Sequence, residues 1–230
     1  MIRSNLAAYK RYQVFLNYPF DENYAPLANA LHFAVVAAGL LPVCTDGLSS
    51  PDRPRLDTII NAILNCHYSV HDFSRNRGEG DTNFARFNMP IEMGMGIFHA
   101  LETQRREHRC AFFVPTPHEY QIFASDLSGL DPKCHYNDEN RVVSLMYEWL
   151  RDVVPPTMFN SEPTTTVKEK YVYFKSQLLK LNGSEENGKP AYSEVVELMY
   201  QICSECDWWD WRSTKAGKIE FPIIPLLWKK

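Results

Sequence analysis

The chain has 230 residues, of which 45% are hydrophobic and 23% charged, and its formal net charge is −4 at pH 7. This composition is typical of globular domains and argues against collagen, coiled coil and disorder. The acidic balance argues against a nucleic-acid partner, because phosphate neutralisation requires clustered Lys and Arg. No apolar run is long enough for a signal peptide or a membrane span, so we expect a cytoplasmic protein with no membrane partner.

Short apolar runs alternate with helical patterns along the first two thirds of the chain. The predicted strands span 12–17, 40–45, 68–72, 111–115 and 134–136, and the predicted helices span 24–38, 55–65, 90–101 and 142–153. This alternation is the signature of parallel βαβ units with right-handed crossovers. The sequence therefore predicts an α/β fold, a flavodoxin-like three-layer sandwich with a mostly parallel sheet.

The chain changes character after Pro155 and Pro156, since consecutive prolines cannot continue a helix. We predict an α/β domain over 1–156 and a helical C-terminal region over 157–230, which packs against that domain or against a partner. The helices predicted in the second region span 168–181 and 193–206.

Polar residues follow the apolar runs of the first three predicted strands. They are Asn17, Tyr18, Asp46 and Asp72. Ligands of open α/β sheets bind beyond the carboxyl ends of the strands. The sequence therefore predicts a polar pocket there, with Asn17, Tyr18, Asp46 and Gly94 as substrate-binding residues.

The segment 86–96 is the most informative for chemistry. Pro90 suits the first turn of a helix, which places Glu92 near a positive helix end and beside the predicted pocket. Asn88 lies four residues earlier, so its amide and the Glu92 carboxylate are expected on one side of that pocket. Gly94 and Gly96 each cost about 1 kcal/mol in a helix, which suggests close approach of a strand or a ligand.

Two carboxylates near one pocket suit cleavage through an oxocarbenium-like transition state, so Glu92, Asn88 and Asp72 are the predicted catalytic residues, with Asp72 as the second carboxylate. Simpler explanations remain open. Glu92 alone could complement the helix dipole, and a carboxylate in the position of Asp72 is more often a turn or cap residue than a catalytic one.

Metal and cofactor sites are not predicted. The pair Cys203 and Cys206 has no second pair at zinc-ligand spacing, and the other four cysteines are best explained as reduced thiols. No glycine-rich phosphate loop is present, which argues against a dehydrogenase. His71, within a strand, is more often a satisfied core or surface histidine than a ligand.

Four segments together resemble a bacterial TIR-like family, which is itself similar to nucleoside 2-deoxyribosyltransferases. They are 14–21 (VFLNYPFD), 69–74 (SVHDFS), 87–94 (FNMPIEMG) and 125–132 (SDLSGLDP). The resemblance covers about 12–153. It implies that Glu92, early in the third helix, is the catalytic residue. In TIR enzymes this glutamate acts on the ribose of NAD and releases nicotinamide, whereas in the transferases it attacks the anomeric carbon of the sugar.

The resemblance leaves three functions to compare. The first is N-glycosidic bond cleavage of NAD or a related nucleotide or nucleoside, including a TIR-like effector role in bacterial antiphage defence; NAD is then a substrate and no cofactor is needed. The second is a nucleoside deoxyribosyltransferase of salvage. The third is a non-catalytic nucleotide-sensing or assembly module, because a fold does not fix a function.

Four tryptophans lie near the C-terminus, at 208, 209, 211 and 228. Such a cluster is more often packing or an oligomer interface than a ligand cage, because Trp buries a large area. The TIR-like resemblance implies sites completed between protomers and a role in defence, so with this cluster we expect a homo-oligomer or a partner protein of a defence system, with activity dependent on self-association.

Overall fold

The computed structural model describes residues 10–44, 54–75, 88–122, 124–184 and 190–204. Its five strands form one parallel sheet in the order β2-β1-β3-β4-β5. They are β1 (Gln13–Asn17), β2 (Leu41–Cys44), β3 (Tyr68–Asp72), β4 (Arg109–Val114) and β5 (Lys133–Cys134). This is the flavodoxin-like strand order, which confirms the predicted α/β sandwich.

Six helices of eight or more residues occur in the described part of the chain. They are α1 (Ala25–Ala37), α2 (Arg55–Asn65), α3 (Asn88–Glu102), α4 (Glu139–Val153), α5 (Thr164–Ser184) and α6 (Tyr192–Ser204). Gly39, with φ of 83°, follows the end of α1 in the left-handed conformation that glycine adopts without strain. At the start of α4, the Asp138 side chain accepts a hydrogen bond from the Arg141 amide.

Helices cover both faces of the sheet. Successive strand residues point to opposite faces, so Val14 and Leu16 pack with α1 and α4, whereas Phe15 packs with Ile59 and Ile63 of α2. Helix α3 lies beside α2 on this second face. The chain therefore forms three layers, as the sequence predicts.

The C-terminal helices pack on α1 and α4 and share their core. Tyr171 and Phe174 of α5 are fully buried, with ring centroids 5.3 and 5.4 Å from Phe33 of α1. The Asn160 amide donates to the Ala38 carbonyl, which ties the connecting segment to the end of α1. In this structure the region after residue 156 therefore completes one face of the α/β unit.

Several sequence predictions lie outside the described residues. They concern Asp46, Cys206 and the four C-terminal tryptophans. Cys44 and Cys66 are buried and Cys110 and Cys134 half-buried, as predicted for core thiols. None of the described helices is both long enough and apolar enough to cross a membrane.

Candidate active site

The candidate site lies where the strand order reverses, between β1 and β3. These strands are parallel neighbours, with Asn17 opposite His71 at their carboxyl ends. The start of α3 lies above this point, because the Asn17 amide Nδ2 donates to the Met89 carbonyl at 3.2 Å. In flavodoxin-like sheets such a reversal point is where ligands bind.

Glu92 is the carboxylate of this site. Only 6% of the residue is exposed, and no hydrogen bond or ion pair joins it to another described residue. The carboxylate oxygens of Glu92 are not completely buried, so they still contact solvent. Burial raises the pKa of Glu92 to about 7, and the Arg55 guanidinium opposes this shift. Near neutral pH the residue therefore exists in both protonation states.

The start of α3 determines how far Glu92 lies from the positive end of the helix. The helix begins at Asn88, so Pro90 is its third residue and Glu92 lies in the second turn, not in the first as the sequence suggested. The helix dipole acts mainly within the first turn. Burial, which favours the neutral form, therefore dominates the environment of Glu92, and the expected stabilisation of its charge by the dipole is not found.

A buried polar network runs beneath the site. Asn17 Nδ2 lies 3.0 Å from His71 Nδ1, His71 Nε2 lies 3.1 Å from Ser69 Oγ, and Ser69 Oγ lies 2.8 Å from His108 Nε2. His108 Nδ1 lies 2.9 Å from the Cys66 carbonyl oxygen. We call these five residues the polar network. The four that take part through their side chains are at most 3% exposed.

The two ends of the polar network fix the direction of every hydrogen bond. The Cys66 carbonyl only accepts, so His108 Nδ1 carries a proton and its Nε2 accepts from the Ser69 hydroxyl. His71 then donates to Ser69 through Nε2 and accepts from the Asn17 amide through Nδ1. These directions hold because both histidines are neutral: burial lowers the pKa of His71 to about 3 and that of His108 to about 4.

Asn88 and Gly94 flank Glu92 on α3. Asn88 is exposed and lies one turn before Glu92, and the prediction that both side chains face one pocket stays a prediction. Gly94 is exposed, and a Cβ there would meet no atom within 4 Å, so no strand approaches it closely. The close approach instead occurs at Gly96, where a Cβ would lie 2.8 Å from His71 Nε2.

Tyr18 points away from Glu92. Its hydroxyl lies 2.9 Å from His32 Nε2 on α1, and its ring stacks on Tyr24 with centroids 5.7 Å apart. His32 Nδ1 also contacts the Tyr192 hydroxyl of α6, so this cluster joins the first and last helices. Tyr18 therefore packs in the core beside α1, and its side chain is not directed toward Glu92 as expected of a substrate-binding residue.

Asp72 lies on the opposite face of the sheet from Glu92. It follows His71, which faces α3, and its fully buried carboxylate accepts a hydrogen bond from the Ser74 amide at 2.8 Å. Its Oδ2 lies 3.2 Å from His135 Nε2 without the alignment of a hydrogen bond. The structure therefore does not bring the two carboxylates together, and the geometry of Asp72 is that of a turn residue.

The sequence analysis did not predict the hydrogen-bonded residues that hold the Asn17 side chain in place. His71 is a satisfied core histidine, as its position in a strand suggested, but its link to Asn17 was not anticipated. Ser69 and His108 gave no signal, because they are 39 residues apart and meet only when β3 pairs with β4. The alternation along β3, with residues 69 and 71 on one face, was the available clue.

A separate cavity of about 250 Å³ lies at the other end of α3. Met93, Ile97 and Leu101 line one wall, and Phe112 and Trp149 line others. It does not include Glu92, Asn17 or Asn88. Among the described residues, no group of three or more His, Cys, Asp or Glu is arranged to hold a metal ion.

Comparisons of the chain with family models, with curated proteins and with solved structures found no match. The TIR-like resemblance thus depends on the sequence segments alone. What the structure adds is the α/β fold and the environment of Glu92.

Proposed function

We propose that this protein cleaves the N-glycosidic bond of NAD or a related nucleotide or nucleoside, with Glu92 as the catalytic residue. The observation that carries the proposal is a buried carboxylate with no hydrogen-bond or ion-pair partner among the described residues, on the helix that starts where the strand order reverses. Burying such a group without a partner costs stability. A cost of this kind, with a strongly raised pKa, is typical of catalytic groups.

The reaction follows from the chemistry of a carboxylate in this setting. The bond between C1′ of the sugar and the nitrogen of the base breaks, the electron pair leaves with the base, and positive charge develops on the sugar. The ionised form of Glu92 stabilises that charge strongly, because its surroundings are poorly solvated. Water then adds to C1′ and releases a proton, and Asn88 is placed to orient the substrate.

Two other functions stay as alternatives. Transfer of the sugar to a second base, in place of water, would make the protein a nucleoside deoxyribosyltransferase. A non-catalytic nucleotide-sensing or assembly module would only bind in the same pocket. The unpaired carboxylate of Glu92 supports catalysis over sensing, because binding of an anionic nucleotide gains nothing from a buried acid.

The test is chromatography of NAD, NADP and a panel of nucleosides after incubation with the protein. The change Glu92→Gln keeps the shape of the side chain and removes its charge, so the rate should fall at least ~100-fold. Glu102→Gln, at the exposed end of the same helix, is the matched control and should keep the wild-type rate. A wild-type rate for Glu92→Gln would refute the assignment.

We also propose that the protein acts in the bacterial cytoplasm as an antiphage effector, as a homo-oligomer or with a partner protein of a defence system. This part of the proposal is supported only by the TIR-like resemblance and the Trp-rich C-terminal segment. Light scattering over a concentration series, with activity measured on the same samples, tests it. Full activity of a strict monomer would contradict it.

A further inference from the structure

Asn17 has one acceptor atom, Oδ1, that no described residue uses, and its amide lies at the first turn of α3. Both hydrogens of its amide nitrogen are used, one toward the Met89 carbonyl and one toward His71 Nδ1. Its Oδ1 makes no hydrogen bond with any described residue, and it is not among the buried unpaired oxygens. The oxygen of Asn17 therefore has no donor among the described residues and keeps a small solvent-accessible area.

The polar network prevents this amide from turning over. A flipped Asn17 would bring Oδ1 against the Met89 carbonyl oxygen, and it would require His71 to carry its proton on Nδ1. The Ser69 hydroxyl would then donate to His71, and His108 would donate to Ser69 through Nε2. A neutral His108 would then place its unprotonated Nδ1 against the Cys66 carbonyl oxygen. Two acceptors would face each other at both ends of the network, at Met89 and at Cys66, and both contacts would be repulsive.

Helical geometry places Asn17 and Glu92 on the same side of α3. Asn17 is bonded to the Met89 carbonyl, three residues before Glu92, and His71 packs against Gly96, four residues after it. Residues three and four apart share one face of a helix. The acceptor of Asn17 thus lies on the face of α3 that carries the Glu92 carboxylate.

We propose that Asn17 Oδ1 accepts a hydrogen bond from the 2′-hydroxyl of the substrate sugar, so that the site takes ribosides and not 2′-deoxyribosides. This inference rests on the proposed function of Glu92. The 2′-hydroxyl is attached to the carbon next to C1′, and hydrogen bonds to it strengthen as an oxocarbenium-like transition state forms. A site built to bond a hydroxyl discriminates strongly against analogues that lack it.

The first experiment uses the unaltered protein with matched pairs of substrates. NAD is compared with its analogue lacking the 2′-hydroxyl on the nicotinamide-bearing sugar, and adenosine with 2′-deoxyadenosine. We expect kcat/KM to be at least ~100-fold higher for the ribosides. Equal values within threefold, or a preference for the deoxy compounds, would overturn the inference.

Binding separates this inference from the proposed function. Calorimetry with Glu92→Gln protein measures the affinity for each pair of compounds without turnover. Equal affinities together with equal wild-type kcat/KM would overturn the role of Asn17 and leave the role of Glu92 standing. If none of the nucleosides or dinucleotides bound, both proposals would fail.

Two variants test whether the acceptor depends on the polar network. Asn17→Ala should reduce the riboside preference to within about threefold of unity, because the acceptor is gone. Ser69→Ala interrupts the network and leaves Asn17 in place, so the preference should fall while turnover of the deoxy compounds is kept. An unchanged preference in folded Asn17→Ala would overturn the inference. If that variant does not fold, the substrate pairs on the unaltered protein still decide.

Discussion

Glu92 holds a proton more tightly in the folded protein than in an unfolded chain, because burial raises its pKa from 4.5 to about 7. The proposed reaction uses the ionised form. We therefore expect kcat/KM to rise about tenfold per pH unit below pH 7 and to level off above it. Initial rates between pH 5 and 9 measure this. Removing the nearby positive charge with Arg55→Gln should move the midpoint upward, and a profile flat through pH 7 would contradict the assignment.

The same raised pKa predicts how Glu92 affects stability. The folded state favours the protonated form of Glu92, so ionising this residue destabilises the fold. This destabilisation is absent below pH 4.5, grows as pH rises toward 7 and is complete above pH 7. Each tenfold change in proton affinity corresponds to about 1.4 kcal/mol, and solvent at the carboxylate reduces the effect, so Glu92→Gln should increase the free energy of unfolding by up to about 3 kcal/mol at pH 8 and little at pH 4. Urea unfolding at the two pH values tests this. A carboxylate that only complements the helix dipole would instead make the variant less stable by about 0.3–1 kcal/mol.

Helix α3 carries two glycines with opposite surroundings, which gives a matched pair of variants. A Cβ on Gly96 would lie 2.8 Å from His71 Nε2, and the polar network holds that ring on both nitrogens. Gly96→Ala should therefore destabilise the protein by about 1–3 kcal/mol. Gly94→Ala meets nothing within 4 Å and should stabilise it by up to about 1 kcal/mol. Chemical unfolding of both variants decides, and a stabilising Gly96→Ala would show that His71 can move.

The strands and helices could be predicted from local sequence, but which sides of them face each other could not. Helix α2 and strand β3 have the predicted bounds, because apolar spacing within one element is visible in the sequence. Whether Asp72 and Glu92 share a pocket depends on which way the end of β3 faces relative to α3. That is set by packing between distant segments, so the predicted carboxylate pair was separated while the amide of Asn17 was brought to the face of Glu92.

At the scale of the whole molecule, the position of α5 and α6 indicates that the chain folds as one unit. Removing everything after residue 156 would strip Tyr171 and Phe174 from Phe33, and Tyr192 from His32. Burying a large apolar side chain contributes about 1.5–3 kcal/mol, so the loss of these side chains is comparable with the net stability of about 5–15 kcal/mol that most domains have.

We therefore predict that a fragment ending at Pro156 will not unfold cooperatively, although it contains all five strands of the described sheet. Circular dichroism during heating and binding of a hydrophobic dye measure this, with a chain ending at Ser204 as the comparison because it keeps both helices. The fragment should bind dye at low temperature and show no sharp transition, since the outer surfaces of α1 and α4 would face water. A cooperative transition within a few degrees of the longer chain would show instead that 1–156 is an independent domain, and that α5 and α6 are an appendage on it.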